Sequence, residues 1–300
     1  MTRRTFLAAA TRLSTGIFAG SVLESLLGSA KAAEPKSPWQ IGCYTRPFDQ
    51  FDYRVAMDAI AEAGFKHVGL MTTNTKDWVM IRPSTPVEEV QTIAGEARKR
   101  GLKILSVYGD FSVSASAEEG VRALRRLIEH CEICGCPNLM LGGTTDEKFY
   151  ERYYQVIAEC CPYAAEKKIV LTIKPHGGQN ATGTQCRKAI ELVHQKNFGL
   201  WYDPGNIFYY SDGKLDPVDD AATVDGLVIG MSVKDFRPPK EVLVNPGSGK
   251  VNFPAVFARL KKGGFTHGPL IVECLERGPL ESVKGAAKQA RVFLERLTGE

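Results

Sequence analysis

After about position 38 the chain alternates short apolar runs with helically spaced apolar positions, one pair about every 30 residues, which is the pattern of parallel βα units. The apolar runs predict strands over 39–44, 67–71, 103–108, 138–141, 169–173, 200–202, 227–233 and 270–274. Between them the helical spacing predicts helices over 55–63, 86–100, 116–134, 147–168, 184–195, 217–224, 253–263 and 280–297. The punctuation agrees: Gly64 and Gly101 follow helices, and Pro86 opens one at a first turn that needs no N–H. Glu118 and Glu119 lie in a first turn, where the helix dipole favours acids. Pro162 is expected to kink its helix. Eight strands alternating with eight helices predict an α/β fold, a single-domain (β/α)8 TIM barrel over residues 33–300. A doubly wound sheet usually has fewer strands and a Gly-rich turn after the first; Thr45-Arg46-Pro47-Phe48 is no such turn.

The first 32 residues read differently. Arg3-Arg4 precedes Phe6-Leu7, a weakly apolar stretch to Leu27 and Ala30-Lys31-Ala32, the order of a twin-arginine signal peptide with its cleavage site. This predicts export to the periplasm or another extracytoplasmic compartment. Most of the formal +4 charge lies in this leader, as Arg3, Arg4, Arg12 and Lys31 against Glu24, so the remaining chain is close to neutral. A near-neutral body argues against nucleic acid as a partner, because phosphate-backbone binding needs a basic surface. No later segment has the run of about 18 apolar residues that a membrane span needs. The eight cysteines include Cys131-x-x-Cys134-x-Cys136, but without a second Cys/His cluster at zinc spacing they read as buried apolar residues, and no structural disulfide is expected.

In such a barrel, chemistry belongs at the C-terminal ends of the strands. The late strands are the polar ones there. The fifth ends Lys174-Pro175-His176-Gly177-Gly178 and the sixth Asp203-Pro204-Gly205-Asn206. The seventh carries Ser232 and ends Lys234-Asp235-Phe236-Arg237, and the eighth ends Glu273-Cys274-Leu275-Glu276. Each has a plain alternative: Asp203 as a turn residue, His176 as a structural histidine, Asp235 as a loop cap, Glu273 as a lysine's partner. Four consecutive strands with ionisable ends make a functional site the better reading.

These residues resemble the strand ends of the xylose-isomerase-like superfamily of sugar isomerases and epimerases, written Glu-x-His, Asp-Pro-Gly-Asn, His-x-Lys-Asp and Val-Glu. The resemblance spans the body of the chain and extends to residues 246–253, similar to the family's Gly-x-Gly-x-Val-Asp-Phe entry into helix seven, and to residues 268–273. It implies a divalent cation held by Glu, Asp, His and Glu on strands five to eight. Asp203 and Glu273 match. Lys174 stands where the first glutamate belongs, and Ser232 where the histidine belongs. An ammonium has no lone pair to ligate and adds positive charge at the cation's place. The expectation is therefore no metal cofactor, with Lys174 held between Asp203 and Glu273; should a metal bind, Asp203, Glu273 and His176 are its ligands.

Family members move a proton next to a sugar carbonyl. Here Glu273 is the base candidate, and Lys174, His176 or Lys234 would steady the developing oxyanion. Asp203, Asn206, Ser232 and Arg237 are the expected substrate contacts, and Tyr202, Phe208, Tyr209 and Tyr210 are candidates for stacking on a sugar at the mouth. The expected partner is a small carbohydrate, free or oxidised. A keto-sugar lyase or hydratase and a non-catalytic carbohydrate-binding barrel are the alternatives. A Schiff base through Lys174 ranks lower, since two adjacent carboxylates oppose a neutral amine. An endonuclease IV-like reading needs a metal cluster that five histidines, with His176 alone at a matching strand end, do not supply.

Overall fold

The computed structural model describes residues 37–75 and 77–299; the proposed leader, residues 1–32, and its boundary lie outside the described residues. Eight parallel strands close into a barrel in chain order, the first pairing with the eighth from Trp39 opposite Gly268 to Cys43 opposite Val272. The strands are β1 (Trp39–Tyr44), β2 (His67–Leu70), β3 (Lys103–Gly109), β4 (Asn138–Leu141), β5 (Val170–Ile173), β6 (Phe198–Tyr202), β7 (Val228–Val233) and β8 (Gly268–Val272). The helices among the described residues are α1 (Tyr53–Glu62), α2 (Val87–Lys99), α3 (Ala117–Cys134), α4 (Tyr150–Glu166), α5 (Gly183–Val193), α6 (Pro204–Tyr210), α7 (Pro217–Ala221), α8 (Phe253–Lys262) and α9 (Leu280–Thr298). No helix among them is long and apolar enough to cross a membrane.

The third helix shows how sequence sets an element. Ser116 accepts from the Glu119 N–H at 3.1 Å and starts α3; Gly135, with φ +64°, ends it in the left-handed conformation. Val121, Leu124, Leu127, Ile128, Cys131 and Cys134 recur at helical spacing and are all buried. Burial of each Leu or Ile side chain contributes about 1.5–3 kcal/mol, and α3 packs chiefly on α4. All eight cysteines are buried and free.

Two layers of core result. The large outer layer joins strands to helices. The inner one fills the barrel with Tyr44, Met71, Leu105, Met140, Trp201 and Ile271. Its aromatics need glycines opposite: a Cβ on Gly69 would lie 2.1 Å from the Tyr44 ring, and one on Gly230 2.6 Å from that of Trp201. The plug of large rings therefore fits only because β2 and β7 each present a missing side chain.

The structure departs from the sequence pattern in small ways. The segment after β6 is a helix, α6, rather than a turn: Asp203 accepts from the Asn206 N–H at 2.9 Å as its cap, and Pro204 occupies the first turn. The eighth strand ends at Val272, two residues before the expected Cys274, so Glu273 lies just past the strand. Pro162 lies inside α4, which continues four residues beyond it.

Candidate active site

Each of the last four strands is followed at once by a charged residue: Lys174 after β5, Asp203 after β6, Lys234 after β7 and Glu273 after β8. The parallel register brings their backbones to one level; the Lys174 N–H donates to Leu141 O at 3.2 Å and the Glu273 N–H to Val233 O at 3.0 Å. Their signs alternate around this half of the barrel. Lys174 Nζ lies 2.8 Å from Asp203 Oδ2, and Lys234 Nζ 3.1 Å from the same oxygen. Lys234 Nζ also lies 2.5 Å from Glu273 Oε1, and Lys174 Nζ closes the ring by donating to Glu273 Oε2 at 2.7 Å. At Asp203 Oδ2 the angles are off hydrogen-bond geometry, so that contact is one of charge rather than of aligned N–H groups.

The ring is almost sealed: Lys174 and Glu273 are 1 % exposed, Lys234 3 % and Asp203 0 %. Charges so buried persist only when paired and hydrogen-bonded, and the neighbours supply the remaining bonds. Ser232 Oγ donates to Glu273 Oε2 at 2.6 Å and accepts from Trp201 Nε1 at 3.2 Å, which ties the inner core to the site. Asn206 Oδ1 accepts from Lys234 Nζ at 3.0 Å while its Nδ2 donates to Pro175 O at 2.6 Å. Burial pushes the Glu273 carboxyl up, but Lys174, Lys234 and Arg46 outweigh it and hold the group well below the usual carboxylate range. For Lys234 burial acts downward, yet Asp203 and Glu273 prevail and raise it.

His176 stands partly exposed above the ring, edge-on to Tyr210 (5.9 Å between centroids) and near Tyr108 (6.3 Å). Burial, then the charges of Lys174 and Lys234, push its imidazole down to about 4, so it is neutral at pH 7. Its loop is pinned by Asn180, whose Nδ2 donates to Gly142 O and Lys174 O, both at 2.9 Å. Gly177, at φ +89°, lies where a Cβ would come within 2.7 Å of the Tyr210 ring.

The structure thus gathers Lys174, Asp203, Asn206, Ser232, Lys234 and Glu273 into one network with His176 over it. Arg237 is not part of it: its side chain is half exposed and pairs with Glu276 at 3.3 Å. Asp235 is the loop cap, accepting from the backbone N–H groups of Phe236, Gly247, Gly249 and Val251 at 2.8–3.0 Å. This gives residues 246–253 their physical meaning, since a Cβ on Gly249 would sit 2.4 Å from Asp235 Oδ1. Two of the expected stacking aromatics are packing residues. Tyr202 is buried and donates to Pro217 O at 2.7 Å, and Phe208 is buried against Phe236. Tyr209 is partly buried with Lys240 over its ring, and Tyr210 alone of the four meets His176.

Sequence reasoning missed Arg46, which follows β1. Burial opposes its charge, while Cys274, Glu273 and Asp203 favour it and hold it protonated. Its position after the first strand, on the face where the charged ends of the last four gather, was the available signal. Among the described residues no group of three or more His, Cys, Asp or Glu side chains is placed to hold a metal ion.

Residues 57–297 match the family described as the xylose isomerase-like TIM barrel, and the chain belongs to that family. A sequence search of curated proteins gives no match. Solved structures share the fold at low identity. A xylose isomerase domain protein from Planctomyces limnophilus is 19% identical with a TM-score of 0.62, covering 87% of this chain and 96% of its own. The D-psicose 3-epimerase of Clostridium cellulolyticum H10, solved with D-tagatose, is 12% identical with a TM-score of 0.67, covering 86% and 99%. The probable 3-DHS dehydratase AsbF of Bacillus anthracis is 14% identical with a TM-score of 0.65, covering 83% and 97%.

Proposed function

We propose that this barrel is a carbohydrate enzyme of isomerase or epimerase type that polarises a sugar carbonyl with ammonium groups instead of a divalent cation. One observation carries the reading: Lys174 Nζ lies 2.8 Å from Asp203 and 2.7 Å from Glu273, between the two acids the family uses as metal ligands. The residues present do not fit a divalent cation, because an ammonium donates no lone pair and repels a cation at that place. No step is therefore routed through a metal.

In this reading the keto-sugar enters over the ring, and its carbonyl oxygen turns toward Lys174 and Lys234. Neutral His176 removes the proton on the adjacent carbon, the ammonium groups stabilise the enediolate oxygen, and the imidazolium returns the proton to the former carbonyl carbon as the hydroxyl proton passes between the two enediolate oxygens, so that carbonyl and hydroxyl exchange places. Glu273 is a weaker base than its position in the family suggests, since two ammonium groups and Ser232 hold its oxygens. A histidine lowered to about 4 is also a modest base, but its conjugate acid gives the proton back readily. The twin-arginine leader suits an enzyme that meets free or oxidised sugars outside the cytoplasm; loss of export when Arg3 and Arg4 are both changed to Lys would support that part.

A second reading, a barrel that binds sugar without turning it over, is favoured by the completeness of the ring, whose four charges satisfy one another. Deuterium incorporation from D₂O into D-fructose or D-psicose, followed by NMR, separates the two. The enzyme reading expects exchange that survives EDTA and falls about 10²–10⁴-fold in His176→Gln. Exchange that requires added Mn²⁺ overturns the metal-free mechanism, and binding without exchange leaves the binder.

A further inference from the structure

We propose that Arg46 and Trp78 form a subsite at the barrel mouth for the carboxylate of an acidic sugar, an inference that rests on the carbohydrate reading above and narrows it. The Arg46 guanidinium is largely enclosed, yet it makes no hydrogen bond to an oxygen and no ion pair among the described residues, and its Nε is buried without a partner. What surrounds it is the Cys274 thiol and the face of Trp78, whose ring centroid lies 5.5 Å from Arg46 Cζ. A buried Nε with no acceptor is costly, and a planar carboxylate matches the guanidinium fork in bidentate fashion.

Charge points the same way. Lys174 and Lys234 are balanced by Asp203 and Glu273 within the ring, and His176 above it is neutral at pH 7. Nearby acids are engaged elsewhere. Asp49 pairs with Arg277 and accepts from Trp78 Nε1 at 3.3 Å, while Asp110 accepts from the Phe111 N–H and the Tyr153 hydroxyl. Among the described residues Arg46 is thus a cation of the mouth that forms no ion pair, and one guanidinium matches a monoanion better than a phosphate dianion. Trp78 adds a platform. It is 45% exposed, and its φ of +59° is a conformation that bulky residues rarely adopt and that clusters at functional sites. The ring, held by Asp49, presents an apolar surface for the C–H face of a sugar beside the guanidinium.

Isothermal titration of the intact protein with D-fructuronate, D-glucuronate and 5-keto-D-gluconate, against D-fructose, D-glucose and D-fructose 6-phosphate, tests this. At least one acid is expected to bind about tenfold or more tightly than the neutral sugars. Arg46→Gln should bring that acid to the neutral level, Arg46→Lys should keep part of the preference, and Trp78→Ala should weaken acid and neutral sugars together, each with an unchanged circular dichroism spectrum. A preference that persists in Arg46→Gln, a preference for the phosphate, or neutral sugars bound as tightly as acids overturns the subsite and leaves the carbohydrate reading standing. Arg46-dependent binding of an acid with no deuterium exchange leaves the subsite and overturns the isomerase. Binding of no sugar overturns both.

Discussion

The two halves of the barrel are built alike and end differently. Strands β1 to β4 are followed by Thr45, Met71, Asp110 and Gly142, and β5 to β8 by Lys174, Asp203, Lys234 and Glu273. In the first half the polar groups are held locally: Thr45 Oγ1 accepts from the Met71 N–H at 3.0 Å, and Asp110 accepts from the neighbouring Phe111 N–H at 2.8 Å. In the second half four charges are held by one another across the barrel. A parallel barrel places every strand end on one face whatever follows it. The site is therefore a matter of which residues stand one position beyond the strands, and the same scaffold carries locally bonded strand ends and an ionic ring side by side.

Removing one member of the ring is the strongest way to break this contrast. Glu273→Ala leaves two buried ammonium groups facing Asp203 alone, and urea unfolding should show a loss of about 3–5 kcal/mol. Adding Lys174→Met to that variant removes one uncompensated charge and should recover part of the loss; a single variant as stable as the parent would mean the ring is not buried as described. The first half holds no such ring to break.

The next effect comes from His176, whose proton affinity burial, and then Lys174 and Lys234, lower from the ordinary 6.5 to about 4. The unfolded chain binds this proton below pH 6.5 and the folded one does so only near 4, so the contribution of His176 to stability is lost as pH drops through that window, about 3 kcal/mol in all. Glu273 acts in a separate, lower window, its contribution being present above the ordinary carboxylate value of 4.5 and lost as pH falls below it. Asp110 and Asp220, both raised to about 6 by burial, act with the opposite sign in the His176 window, so His176→Gln should make stability fall less or rise more than in the parent as pH drops from 6.5 to 4, and keep the fall further into acid. A slope unchanged by the substitution would show that the His176 imidazole is not lowered in the folded protein.

The smallest effect is expected just outside the ring. Arg237→Ala breaks an exposed pair with Glu276 and should cost less than about 1 kcal/mol. A larger loss in thermal unfolding would place Arg237 in the network after all.

Much of this was legible in the chain. Trp39–Tyr44 and Asn138–Leu141 coincide with the expected strands, because continuous apolar runs between helical patterns leave little choice in a parallel sheet. Lys174 between Asp203 and Glu273 was legible too, since the strand ends fix which residues share a face. The α6 helix was not among the expected helices although Asp203-Pro204 is a good cap and first position; Pro and Gly within three residues obscured it. Lys234 as a second bridge, and Arg46 from beyond β1, the neighbour of β8, were not legible, since each depends on where a long flexible side chain ends.

The amino-acid pattern by itself determined the eightfold βα alternation, the face that bears chemistry and the presence of an amine where the family holds a metal ligand. Those are local properties, set by periodicity and by one residue's position relative to a strand end. Only the closed barrel decided that the two lysines and two acids alternate into a ring, that Glu273 is held well below the usual carboxylate range and that Arg46 forms no ion pair among the described residues. Such outcomes depend on distances of about 3 Å between residues up to 99 positions apart, and burial then fixes how strongly those charges act on one another.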